Sequence, residues 1–223
     1  MKNTLRVLSA TLAALILSFG LVGCGGASLS PKVQDAFNNK REMYTQRNMF
    51  ISKYDRYGQK FVETTNYGNG VMIPVNTKVR FKDVNSKQMS FTYKGNLVML
   101  RNIPKYSGTN VEEMINRYFG PKKVNLSKFT RLEKDAILSK KETTIPGGVH
   151  VSPFGVHKSG PVTSLSASKI VVGMSKEAVL VSRGYPPVHA TSSLKSDKWK
   201  YWETKFNTRI VEFKNDKVSN IIE

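Results

Sequence analysis

The chain has 223 residues, with 35 Lys and Arg against 16 Asp and Glu, a formal net charge of +19 and a single cysteine. The length allows one large or two small domains, the lone cysteine excludes an intrachain disulfide, and the positive excess favours anionic partners.

Residues 1–23 read as a lipoprotein signal peptide. Lys2 and Arg6 form a positive start, and Leu8 to Val22 is an apolar run shorter than the ~20 residues that a membrane-spanning helix needs. Leu21-Val22-Gly23-Cys24 is a lipobox, so Cys24 is expected to carry a covalent lipid, with no other cofactor. Gly25 follows it, where an aspartate would favour retention at the inner membrane. The expected location is therefore the outer membrane, lipid-anchored and facing the periplasm. An exported lipoprotein does not meet nucleic acid, which leaves anionic phospholipid, peptidoglycan and acidic envelope proteins as partners.

Residues 24–58 are expected to form a tether with one helix, opened by Ser30-Pro31 and edged by Val33 and Phe37. Residues 59–142 form a β-rich unit. Val79 and Phe81, then Met89, Phe91 and Tyr93, alternate with polar residues, and Asn85-Ser86 and Gly95-Asn96 supply turns. Short strands at this density predict a small SH3-like barrel. Two helices follow. Val111, Met114, Ile115, Tyr118 and Phe119 make an apolar stripe behind an Asn110 to Glu113 capping box, with Gly120-Pro121 as its stop. A second capping box, Thr130 to Glu133, opens a helix carrying Ala136 and Ile137.

Residues 143–166, rich in Gly, Pro and Ser, are expected to be a linker between domains. They contain two near-copies, Gly148-Val149-His150 and Gly155-Val156-His157. Two histidines without a third ligand fall short of a zinc site, so no metal is expected. No catalytic residues are assigned: the nucleophile elbow is missing, and Ser166-x-x-Lys169 and Ser192-x-x-Lys195 stand without the motifs that accompany them in penicillin-recognising enzymes.

Residues 167–223 have the punctuation of one helix and a strand meander. Ser175 caps, Met174, Ala178 and Val181 make an apolar stripe, and Gly184 with Pro186-Pro187 ends the helix in a left-handed turn. Trp199 to Phe206 and Arg209 to Phe213 are strands, Asn215-Asp216 is a turn, and Val218 to Ile222 returns. With a complete helix and meander, this part is expected to fold without the rest of the chain. Tyr185, Pro186, Pro187 and His189 are candidates for a contact surface.

The runs Gly173-Met174-Ser175-Lys176, Gly184-Tyr185-Pro186-Pro187, Trp199-Lys200-Tyr201-Trp202 and Val211 to Val218 resemble the BamE/SmpA/OmlA domain of outer-membrane lipoproteins. The resemblance covers roughly the last quarter of the chain. The expected fold overall is α+β, with the barrel-like N-terminal domain ahead of a BamE-like helix plus three-stranded antiparallel sheet. That compact fold is also used by a secreted β-lactamase inhibitor. The family carries two helices ahead of its strands, and Ser164 to Ile170 offers no first one. The implied function is non-enzymatic: contacts in outer-membrane or envelope assembly or maintenance, with the β-barrel assembly machinery among the partners. Binding of peptidoglycan or anionic lipid, and inhibition of an envelope enzyme, are the alternatives.

Overall fold

The computed structural model describes residues 29–51, 53–54, 59–64, 70–138, 141–145, 149–152, 155–158, 162–166, 169–204 and 206–223. The signal peptide, the lipobox with Cys24, and the reversal at Tyr67 to Asn69 lie outside them. The described chain is a mixed α+β protein with two packed cores.

The first core lies under a sheet. Helix α1 (Pro31–Asn38) buries Val33 and Ala36 and sets Phe37 against Phe81, ring centroids 4.8 Å apart. Strands β1 (Glu42–Thr45), β2 (Met49–Ile51) and β3 (Lys53–Tyr54) follow. The expected tether is thus part of the fold from Pro31 onward, because Met49, Phe50 and Ile51 are too apolar to leave in water. Strands β4 (Lys60–Glu63), β5 (Val71–Ile73), β6 (Lys78–Val84), β7 (Gln88–Tyr93) and β8 (Asn96–Arg101) complete the run.

Among the described residues the main sheet has seven strands, in the order β3-β4-β8-β7-β6-β1-β9, where β9 is Phe119–Gly120. Met43, Val79, Phe81, Phe91, Met89, Val98, Leu100 and Val62 line its inner face, as the period-2 pattern predicts. The SH3-like barrel expected from the sequence does not form. The parallel pairing of β4 with β8 puts β3 at one edge and β9 at the other, and the two edges do not pair. The turn between β7 and β8 is Lys94-Gly95, one residue earlier than expected, with both φ angles positive.

Helix α2 (Pro104–Ser107) is a single turn, and α3 (Val111–Tyr118) closes the first core. The Asn110 capping box is complete, and Val111, Met114, Ile115 and Tyr118 are buried. The helix stops at Tyr118 rather than at Gly120-Pro121, because Phe119–Gly120 leave it to pair with β1. A Cβ at Gly120 would stand 2.7 Å from the Gln46 side-chain amide, which would have to move aside.

The second core is built from both sides of the Gly/Pro-rich stretch. A 3₁₀ turn at Leu126–Lys128 leads to α4 (Arg131–Leu138), then to strands β10 (Lys141–Ile145), β11 (Val149–Ser152), β12 (Gly155–Lys158) and β13 (Val162–Ser166). These four pair as β10 with β13 and β11 with β12, so the expected linker contains an extended hairpin, its duplicated sequence placing His150 opposite His157. Helix α5 (Lys176–Arg183) and strands β14 (Lys198–Trp202), β15 (Thr208–Lys214) and β16 (Lys217–Ile222) follow, the strands forming an antiparallel sheet. Phe129, Ala136 and Ile137 lie in one cluster with Met174, Ala178, Val179, Trp199, Tyr201 and Val211. The helix assigned by sequence to the β-rich unit therefore packs in the C-terminal core.

Helices α4 and α5 run side by side with the same polarity. At their N-terminal ends, Glu133 Oε2 accepts from Thr130 N–H at 2.9 Å, and its Oε1 accepts from Ser175 N–H at 2.7 Å and from Lys217 Nζ at 3.4 Å. At their C-terminal ends, Asn48 donates from its backbone to the Val181 carbonyl at 2.9 Å and from Nδ2 to the Ile137 carbonyl at 2.8 Å. Its Oδ1 accepts from Val75 N–H at 2.7 Å. Parallel neighbours need a long crossover, and the segment holding the hairpin supplies it.

Candidate functional site

The candidate contact residues lie on the seam between the two cores. Gly184 ends α5 at φ 86° and ψ −171°, a positive φ as expected but extended rather than left-handed helical. This sends the chain away from α5 towards α2 and α3. Val188 N–H then donates to the Tyr106 carbonyl at 2.8 Å. Gly108, at φ 63°, leaves room for Val188, whose Cγ1 would lie 3.0 Å from a Cβ there.

Pro186 and Pro187 are buried in this joint, Tyr185 is half-buried and His189 is exposed. The Pro187 carbonyl accepts from Ala190 and Thr191 N–H, closing a turn that delivers Thr191 Oγ1 to Lys200 N–H at 2.9 Å. His189 lies between Tyr106 and Trp202, centroids 4.9 and 6.1 Å away. Of the four residues, His189 is the one presented to solvent, beside the outer face of the C-terminal sheet. Cross-strand pairing puts Lys200, Ile210 and Ile222 in one row on that face, next to Trp202.

The motif residues that carry the resemblance are used in architecture. Gly173 N–H donates to the Val218 carbonyl at 2.8 Å, and Val218 N–H to Met174 at 2.7 Å. Met174 is fully buried. Ser175 caps α5 by accepting from Ala178 N–H at 3.2 Å. Lys176 reaches Asp216 at 2.9 Å and Asp197 at 3.4 Å, and these two carboxylates outweigh burial to raise its pKa. The Asn215-Asp216 turn has both φ angles positive, as its sequence predicts. Gly-Met-Ser-Lys thus staples α5 to the turn between β15 and β16.

The sequence offered no sign of three arginines gathered at the seam, since they are far apart along the chain. Arg47 and Arg117 stack on Tyr185, 4.3 and 4.6 Å from its centroid, and Arg47 also lies 5.6 Å from Tyr118. Arg183 lies over Phe50 and Tyr201 at 5.2 and 5.7 Å. Each differs in what it donates to. Arg117 Nη1 donates to the Ser107 carbonyl at 3.0 Å. Arg183 Nη2 donates to the Trp202 carbonyl at 2.8 Å and faces Glu203 at 3.6 Å, while burial pushes its pKa down. Arg47, 9% exposed, has no acceptor for Nε or Nη1 among the described residues. Burial, opposed by these cations, also raises the Tyr118 hydroxyl.

Arg47 lines a cleft of about 300 Å³ between the 3₁₀ turn and α5, with Gln46, Val124, Lys128, Glu177 and Tyr185. Lys128 and Glu177 meet across it at 2.5 Å. Among the described residues no three His, Cys, Asp or Glu come together, and no helix is long and apolar enough to cross a membrane. Compared with family models, curated proteins and solved structures, the chain matches none.

Proposed function

We propose that this protein is an outer-membrane lipoprotein, anchored through lipid on Cys24, that acts by protein contacts in assembling or maintaining the envelope. The observation that carries the reading is the C-terminal architecture. The resemblance implies two helices ahead of three antiparallel strands, and α4 with α5 supplies that pair ahead of β14 to β16. The helix opened by Thr130 reads in sequence as part of the β-rich unit because the hairpin of residues 141–166 separates it from the second. In this reading the C-terminal core is a BamE-like domain with an insertion between its helices. The lipobox supports the location, and the duty of Gly173 to Lys176 in holding α5 to the sheet accounts for the motif in structural terms.

The contact surface is the outer face of the C-terminal sheet, where Trp202, Ile210 and Ile222 adjoin His189. A half-exposed apolar row beside an aromatic and a histidine suits a protein partner. Two experiments test the proposal. Cys24→Ser abolishes labelling by a palmitate analogue; label retained after that substitution sinks the anchor. Depletion lowers porin levels or raises sensitivity to large antibiotics that an intact outer membrane excludes. Unchanged porin and sensitivity, together with turnover of a wall or lipid substrate by the purified protein, replace this reading with an enzymatic one.

A further inference from the structure

We propose that the cleft between the 3₁₀ turn Leu126–Lys128 and α5 is a carboxylate-binding site for a monoanion with an apolar body, held by Arg47 and Lys128. A guanidinium that is more than nine-tenths buried has lost most of its hydration. The neighbouring arginines recover theirs through carbonyls and a carboxylate, whereas Nε and Nη1 of Arg47 are sealed from solvent without an acceptor, which leaves Nη2 to face the cleft. Stacking on Tyr185 and Tyr118 fixes the plane of the group and leaves its positive charge unmatched.

The walls of the cleft select the ligand. Lys128 is neutralised by Glu177, so the cleft holds one uncompensated positive charge, that of Arg47. Glu177 repels a second negative charge, which disfavours a phosphate dianion and favours a carboxylate, one oxygen of which accepts from Arg47 Nη2 and the other from Lys128. Val124, Leu180, Val181 and the Tyr185 ring supply apolar walls for the ligand's body. The volume lies at the lower end of small-molecule sites and suits a ligand the size of one amino acid. The incoming carboxylate competes with Glu177 for Lys128, so binding opens the bridge across the cleft. Nothing in this site depends on the lipid anchor or on the envelope role.

The test uses the full mature chain in detergent at constant ionic strength, following the Arg47 Nε–H resonance while butyrate, N-acetyl-leucine or inorganic phosphate is added. Both acids should give a saturable shift, and phosphate a weaker one. Arg47→Gln and Lys128→Gln should each weaken both acids about tenfold, the scale of losing a charge-assisted hydrogen bond. For these variants affinity is read from Tyr and Trp fluorescence. Glu177→Gln should tighten both, since it removes the competitor. Lys128 is exposed, so its variant tests the site even where Arg47→Gln fails to fold. Preference for N-acetyl-leucine marks a polypeptide chain end as the natural source, and preference for butyrate a free acid; either supports the site. No saturable shift, tighter binding of phosphate than of both acids, or binding indifferent to Lys128→Gln overturns it.

Discussion

The two ends of the α4–α5 pair bury charge in opposite ways. At the N-terminal end, Glu133 is 2% exposed, and its oxygens accept from Thr130, Ser175 and Lys217. At the C-terminal end, Asn48 satisfies the helix carbonyls, while the adjacent Arg47 keeps two nitrogens without acceptors. The first end is closed and serves the fold. The second faces a cleft and is open to a ligand. Burial alone does not separate the two, since both side chains are nearly out of water. What separates them is whether the chain itself supplies the counter-groups.

The largest effect tests whether α4 belongs to the C-terminal core. Residues 169–223 expressed alone lose Phe129, Ala136 and Ile137 from their cluster, a loss on the order of 5–10 kcal/mol against a typical domain stability of the same size. The fragment should give a collapsed amide spectrum and no cooperative melt. A dispersed spectrum would show that the helix pair is dispensable.

Glu133→Ala should cost about 3–5 kcal/mol by calorimetry, because it strands the Thr130 and Ser175 N–H groups and unpairs Lys217. The same carboxylate makes stability depend on pH. Burial alone would raise its pKa, but the hydrogen bonds from Ser175 and Thr130 outweigh that and hold it at about 2, below the usual 4.5. A depressed folded value means that its contribution is complete above about pH 4.5 and fades as pH falls towards 2. The amount lost is on the order of 3 kcal/mol. Glu133→Gln should flatten the stability profile across that window, and an unchanged profile would assign the acid lability elsewhere.

Asn48→Ala should destabilise by about 2–4 kcal/mol in urea, since it leaves Val75 N–H and the Ile137 carbonyl buried without partners. Its effect should fall on both cores in one transition, because Asn48 bonds Val75, Ile137 and Val181 of the second core and is joined directly to Met49 of the first; two separated transitions would mean that the seam is weak. His189→Ala stands at the small end, about 0.5 kcal/mol, as the ring is exposed and only stacks between Tyr106 and Trp202. If it weakens partner capture in cells while leaving stability intact, the outer sheet face gains its first functional residue.

Local chemistry was legible without coordinates. Capping at Asn110, Thr130 and Ser175, the stripe of Met174, Ala178 and Val181, and the positive-φ turn at Asn215-Asp216 all stand as their residues predict. Each depends on residues a few positions apart, so sequence spacing carries the geometry. The alternating strands of residues 78–101 were legible for the same reason, but their closure into a barrel was not. Closure depends on which edges meet, and the parallel pairing of Lys60 with Val98 joins segments that no local period relates.

The sequence by itself determined the helix N-caps, the Asn215-Asp216 turn, the lipobox pattern and the excess of positive charge. Tertiary structure alone decided that α4 crosses a hairpin to pack beside α5, that Pro186 and Pro187 are buried in a seam, and that Arg47, Tyr118 and Tyr185 meet. Hydrophobic burial is non-directional, so an apolar stripe announces that it will be covered without naming the cover. The unmatched charge of Arg47 follows from the same fact: only the packed chain shows which buried groups found partners.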